Sequence, residues 1–290
     1  MIRSMTGFGS AEGSVGGARV SVEIRSVNHR FFNATIRLPG ELSRWEAEAR
    51  EALRKKVSRG HVTVSARLDR LGATGAGIDE ARFATYVETL RALQERYQLS
   101  GDLDVATVLR LPDVFGAGEP NGEGTATELV SVIEAAADAL GASREEEGTR
   151  LVAYLRERLT IIERALESIA ARAPQRVVEQ RDKLREAVRE LTDGVGIDDQ
   201  RLALEVALLA ERLDVQEELS RFASHVAAFR ATLGQTAGEP VGKRLGFLLQ
   251  EMLREANTTG SKANDARMLA DVVTIKEELE RLREQVENLE

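Results

Sequence analysis

The sequence predicts an α+β protein: an N-terminal mixed sheet with helices over residues 1–142, then a mainly α-helical half over residues 143–290, with long helices and a heptad-patterned last helix. Three observations carry this. In the first seventy positions apolar residues alternate with polar ones, as in Val20, Val22, Ile24, then Phe32, Ala34, Ile36, Leu38, then Val62, Val64, Ala66, Leu68. That is the period of strands buried on one face. From Ser143 onward the apolar residues recur in steps of three and four, the period of a helix. The last segment repeats Met268, Val272, Ile275, Leu279, Leu282, Val286 and Leu289 in alternating steps of four and three, a coiled-coil-like heptad seam. Such a seam packs either inside the chain or across subunits, and the period alone does not choose.

Taken in order, a strand is expected at Ile2–Gly9, followed by a hairpin turn at Gly13–Gly17. That glycine cluster resembles a fragment of a phosphate-binding loop but lacks the following helix and the GK[ST] ending. Pro39-Gly40 ends the third strand, and Glu41–Ser58 reads as an amphipathic helix with Leu42, Trp45, Ala49 and Leu53 inward. Its end carries Arg54, Lys55 and Lys56, which complement the helix dipole. Arg59-Gly60 caps it and another strand follows, giving β-β-β-α-β. A helix is expected from Asp79 to Gln98, with loops at Gly72–Gly77 and Gly116–Gly124. Beyond Ser143, Leu151, Leu155, Ile162, Leu166 and Ile169 keep helical spacing up to Pro174, where proline kinks or ends the helix. Val177, Leu184, Val188 and Leu191 continue the pattern, so residues 143–192 form long arms, and Asp193–Gly196 makes a turn. Asp198-Asp199 opens a helix running from Arg201 to Phe229. A further helix begins at Gly242 with Lys243 and Arg244, places Leu245, Leu248, Leu249, Met252 and Leu253 in the core, and gives way at Asn257–Gly260.

Composition narrows the chemistry. The chain holds 290 residues, no cysteine and three histidines, so disulfides and thiolate metal sites are excluded. No basic region followed by an apolar run opens the sequence, and no apolar stretch approaches membrane-spanning length. A cytoplasmic protein is expected. The net charge is −8, yet residues 1–70 hold thirteen Lys/Arg against seven Asp/Glu, a net +6, which leaves −14 for the remainder. Such asymmetry points to polyanion contact in the basic part.

Two helices carry candidate chemistry. Glu251, Arg254 and Glu255 stand at i, i+3 and i+4 on one face of the Gly242 helix. On the Arg201–Phe229 helix, a step of 100° per residue puts Glu211, Asp214, Glu218, Arg221 and His225 in one polar stripe, with Glu205 and Glu217 outside it. Carboxylates with one imidazole and no thiolate suit Mg²⁺ or Mn²⁺ better than zinc. The same stripe also fits a solvated helix laced with ion pairs.

Several stretches, spread from end to end, share one resemblance: IRSMTGFG (Ile2–Gly9), EIRSVNHRFF (Glu23–Phe32), LRLPDVF (Leu109–Phe115), LLAERLDVQEEL (Leu208–Leu219), the Gly242–Ala266 segment and the closing IKEELERLREQVENLE. Together they resemble the YicC/YloC family of bacterial endoribonucleases. The resemblance implies a metal-dependent hydrolysis of phosphodiester bonds in RNA, in RNA turnover, by a homo-oligomer, hexameric if the family pattern holds. In that reading Glu211, Asp214, Glu218 and His225 face Glu251 and Glu255 around the metal. Arg254 and Arg221 neutralise phosphate together with Lys243, Arg244 and Lys262. Ser4, Arg25, Asn28 and Arg30 lie inside matched motifs and, with Arg37, Lys55 and Lys56, hold the strand.

Two alternatives stay open. RNA also cleaves through its own 2′-hydroxyl when an acid–base pair is supplied, which would use His225 with His29 or His61 and no metal. An RNA-binding adaptor or scaffold would bind without cutting. The excess of positive charge in residues 1–70 predicts RNA affinity that falls steeply with salt. Arg25→Glu with Arg30→Glu should weaken binding without unfolding the chain. Equal affinity at low and high salt, measured by filter binding, would contradict this.

Overall fold

The computed structural model describes residues 2–69, 76–78, 80–111, 114–117, 124–191, 199–234 and 241–290. The expected turn at Asp193–Gly196, the helix start at Asp198, the helix residue Asp79 and most of both glycine-rich loops lie outside them. The chain forms two compact units, Gly7–Ser143 and Met1–Thr6 with Arg144–Glu290. Among the described residues no helix is long and apolar enough to cross a membrane.

The first unit is built on a four-stranded sheet in the order β1-β2-β4-β3, with β1 at Gly7–Val15, β2 at Ala18–Val27, β3 at Phe32–Arg37 and β4 at Gly60–Asp69. β1 and β2 form a hairpin, β2 pairs antiparallel with β4, and β3 pairs parallel with β4. The parallel pair is joined through α1 (Glu46–Lys56), entered by a 3₁₀ turn at Ser43–Trp45. The hairpin turns on Gly16 and Gly17, with φ of 57° and 80°. Positive φ at both central residues is what a right-twisted hairpin turn demands, and glycine supplies it without strain. The alternating residues do what their period requires: Val20, Val22, Ile24, Val62 and Val64 are fully buried. They pack with Leu42, Ala49 and Leu53 beside α1, and with Leu129, Ile133 and Leu140 of α4 (Ala126–Leu191). A small ribbon pairs β5 (Ala76–Ile78) with β6 (Phe115–Ala117), so Gly77 and Gly116 belong to strands rather than loops. α2 (Glu80–Tyr97) and α3 (Val105–Leu109) complete this unit.

Two expectations are corrected here and a third, a kink or an end at Pro174, is narrowed. The first strand begins at Gly7, not Ile2, because Ile2, Ser4 and Met5 are buried in the other unit, where Ser4 bridges to Leu289. α4 begins at Ala126, well before Ser143. Its start is a capping box: Glu128 N donates to Thr125 Oγ1 at 3.3 Å, and Thr125 N donates to Glu128 Oε2 at 3.1 Å. Gly16 N also donates to that oxygen at 3.0 Å, and these backbone hydrogen bonds hold the Glu128 carboxyl below its ordinary range. Finally, α4 continues for 66 residues through Pro174, which stands exposed, where water can take the carbonyl that proline leaves without a donor.

The helical unit contains α5 (Asp199–Leu213), α6 (Gln216–Gly234), α7 (Val241–Ala263) and α8 (Ala266–Val286) with the later part of α4. The heptad seam answers its own question. Met268, Val272, Ile275, Leu279, Leu282, Val286 and Leu289 are all buried within this chain, against Leu155, Leu159 and Ile162 of α4 and the apolar faces of α6 and α7. α7 also runs on through Asn257–Gly260. Thr259 is buried, and a Cβ on Gly260 would lie 3.2 Å from Val272 Cγ1, so this small, partly polar stretch is a packing surface for α8.

In the sheet unit, Gly9 explains part of the opening motif. A Cβ there would stand 2.3 Å from Ala136 O and Leu140 N, so the α4 backbone lies directly on β1. Gly9→Ala should destabilise the protein by about 1–3 kcal/mol through overpacking against backbone that cannot step aside. The check is a thermal melt followed by circular dichroism, and an unchanged midpoint would refute the contact.

Candidate functional site

The site is set by the register of α6 against α7. α7 buries Leu245, Leu248, Leu249, Met252 and Ala256, which leaves Glu251, Arg254 and Glu255 along its flank. α6 buries Leu219, Phe222, Val226 and Phe229, which leaves Ser220, Arg221, Ser224 and His225 along its own. Lys262, near the end of α7, donates to Glu218 Oε1, near the start of α6, at 2.7 Å. The helices therefore run in opposite directions, and these flanking residues line one groove of about 380 Å³.

Within that groove four side chains are left unengaged. Among the described residues Glu251, Glu255, His225 and Arg254 make no side-chain hydrogen bond or ion pair. Glu255 is only 5 % exposed. Its carboxylate faces the groove rather than a protein donor, so it is open to a ligand that enters there. Beside the groove, Glu218 is 7 % exposed and its Oε2 is buried without a hydrogen bond, while Oε1 is held by Lys262.

The stripe expected on one long helix is broken. α5 stops at Leu213 and α6 restarts at Gln216. Asp214 Oδ1 accepts from Gln216 N at 2.9 Å, so this carboxylate caps a helix start. Glu211 lies exposed on α5. The 100° phase does not carry across the break, and neither Glu211 nor Asp214 lines the groove. Arg221 lines it, with an ion pair to Glu217. Lys243 and Arg244 are exposed in the first turn of α7, about two turns from Glu251. Among the described residues no three His, Asp or Glu side chains cluster as a metal cage. The groove does hold two carboxylates, Glu251 and Glu255, and a hard ion such as Mg²⁺ uses one or two and fills its shell with water and phosphate.

The remaining candidates fall mostly in the sheet unit. Arg25, Asn28, Arg30 and Arg37 are exposed on or beside the sheet, and Lys55 is exposed at the end of α1. Lys56 is engaged by Asp138 at 2.6 Å, a hydrogen bond that raises its pKa. Ser4 belongs to the helical unit and is buried, its hydroxyl bonded with Thr6 Oγ1 at 2.9 Å. His29 and His61 meet edge to face with ring centroids 6.5 Å apart, while His225 belongs to the helical unit. Ser220 and Ser224 line the groove without having been singled out. Only their position beside Arg221 and His225, in steps of one and three, could have marked them.

Comparison with known proteins points one way along the whole chain. Residues 169–290 match the family description "Endoribonuclease YicC-like, C-terminal", and residues 2–153 match "Endoribonuclease YicC-like, N-terminal region". A protein of Clostridioides difficile (strain 630) named "Probable endoribonuclease YicC" is 32% identical over 295 residues, covering 100% of both chains. A protein of the same name from Haemophilus influenzae is 31% identical over 292 residues, again covering 100% of both.

Removing the Lys262 ammonium would leave Glu218 buried with both oxygens bare. Lys262→Met should therefore cost about 1–3 kcal/mol of stability, and adding Glu218→Gln should restore part of the loss. Urea denaturation of the single and double variants tests this. A single variant as stable as the parent would show that Glu218 needs no counter-charge.

Proposed function

The chain belongs to the family of YicC-like endoribonucleases, and we propose that it cuts RNA internally, in RNA turnover, at the α6–α7 groove with the help of a divalent cation. The observation that carries this reading is one groove lined by Glu251, Glu255, His225 and Arg254, none of them engaged by another side chain. Mg²⁺ or Mn²⁺ bound at Glu251 and Glu255 would neutralise the scissile phosphate and acidify a water.

The protein's own groups do the rest. Arg254 and Arg221 sit on opposite walls of the groove, where guanidinium forks suit the phosphate oxygens of an entering strand. His225 lines the same groove, and its role in this reading is to give a proton to the ribose oxygen that leaves phosphorus. Lys262 is committed to Glu218, so its part is to neutralise that buried carboxylate rather than to meet RNA. Phe247, Leu269 and Val273 stay exposed on α7 and α8 and offer apolar surface to a homo-oligomer, hexameric as the family resemblance implies.

A second reading has an observation of its own. The His29–His61 pair supplies two imidazoles to one place, the pattern needed for 2′-hydroxyl attack without a metal.

Glu251→Gln and Glu255→Gln should each abolish cleavage while leaving RNA bound, since each keeps shape but removes the charge that holds a hard cation. Asp214→Asn should keep most activity, because asparagine also caps helices. Cleavage should stop in EDTA and tolerate a 2′-deoxy substitution at the cut site, with products resolved by size and end chemistry. Cleavage that persists in EDTA, needs the 2′-hydroxyl and is lost in His61→Ala would install the histidine reading instead.

A further inference from the structure

The sheet of the Gly7–Ser143 unit is covered by α1 and α4 on its inward face, where the alternate valines are buried. Its outward residues are exposed or half-buried instead. The strand register sets Phe8, Arg25, Thr63 and Thr35 side by side in one row across all four strands. The adjoining loop between β2 and β3 carries Arg30 and Phe31.

Two aromatic rings of this face stand open to solvent. Phe8 is 45 % exposed and Phe31 is 65 % exposed. A single exposed phenylalanine is ordinary, but here each ring lies under a guanidinium. Arg25 stands 5.6 Å from the centre of the Phe8 ring, and Arg30 stands 5.3 Å from that of Phe31. The glutamates on this face are engaged by arginine, Glu23 with Arg25 at 3.8 Å and Glu12 with Arg19. What remains is a surface of π-faces and cations fringed by threonine hydroxyls.

That is the chemistry of unpaired nucleotides: each base presents a flat π-face, each linkage a negative charge, and the hydroxyls can meet either. A duplex hides its base faces in its own stack and cannot use the rings. We infer that the outward face of the sheet, through Phe8 and Phe31 with Arg25 and Arg30, is a stacking platform for single-stranded RNA, separate from the α6–α7 groove. The inference rests on the reading of the protein as an RNA-cutting enzyme and adds which form of the strand it grips and with which side chains.

The test uses the full chain carrying Phe8→Leu, Phe31→Leu or both, changes that keep apolar bulk and remove the ring. Binding of a fluorescent single-stranded 2′-O-methyl oligouridylate is read by anisotropy in EDTA, beside a duplex of the same length. Each substitution should weaken single-strand binding roughly 5-fold or more, leave duplex binding and the thermal midpoint unchanged, and be rescued by tyrosine at the same position. An oligonucleotide carrying 5-iodouridine should photo-cross-link to peptides containing Phe8 or Phe31. Unchanged affinity with cross-links elsewhere would overturn the platform, and so would loss of oligomer mass in light scattering, which would assign the face to a second copy of the chain. If the parent protein cuts RNA while the variants bind as it does, the platform alone falls. If the parent neither binds nor cuts any RNA, the underlying reading falls with it.

Discussion

A single buried arginine sets the frame of the helical unit. Arg176 of α4 is 1 % exposed and donates to Lys262 O at 2.9 Å, to Ala263 O and to Leu213 O. These carbonyls stand at the ends of α7 and α5, where a helix runs out of its own donors. Burial pulls the Arg176 pKa down while Asp265 and Asp214 push it back, and a guanidinium stays charged regardless. Burying a charge costs several kcal/mol, and here it is offset by three oxygens that would otherwise be bare. With the Leu213 carbonyl taken, α5 ends, Asp214 caps the next start, and α6 begins in a new phase. One turn back on α4, Arg172 holds Asp265 at 2.8 Å, the residue that caps α8 through Arg267 N and Met268 N. This pairing holds the Asp265 carboxyl below its usual range. The groove inherits its register from these contacts.

Much of the fold was legible because burial on one face writes itself into the sequence. The valines of β2 and β4 and the seam of α8 are buried where their periods put them, since a slip of one residue would turn the apolar set to water. What escaped was decided by groups that have no period. The halt at Leu213 depends on a guanidinium 37 residues away in sequence, and nothing in the surrounding hydrophobic spacing marks it. The start of α4 was written locally, as threonine and glutamate three apart, but the glycine-rich residues before it read as loop. At Pro174 a kink or an end was expected because proline removes one hydrogen bond, and a long helix with an exposed turn continues despite that loss.

The candidate site divides the same way. Glu251, Arg254 and Glu255 sharing a flank follows from helical spacing alone. That His225, Arg221 and Ser224 face them across a groove depends on which helix packs on which, a long-range fact absent from either segment. The six acidic and imidazole groups expected around one centre therefore separate: three line the groove, Glu218 lies buried with Lys262, and Asp214 and Glu211 serve elsewhere. The basic residues of the first seventy positions were legible as charge, but their pairing with exposed rings required the hairpin register.

The two ends of the described chain are paired: Arg3 N donates to Glu290 O at 3.0 Å, Glu290 N to Arg3 O at 2.8 Å, and Met5 N to Asn288 O at 2.8 Å. Arg144 adds a hydrogen bond from Nε to Ser4 O at 2.6 Å. On a ribosome, Arg3 is made well before the Glu290 it pairs with. At about 5–20 residues per second, the early segment waits roughly 15–60 s for the strand mate that secures it. The Gly7–Ser143 unit, by contrast, is continuous in sequence. Translation thus imposes an order in which the sheet's strands are all made while Ile2–Thr6 still waits, unpaired, for Asn288–Glu290.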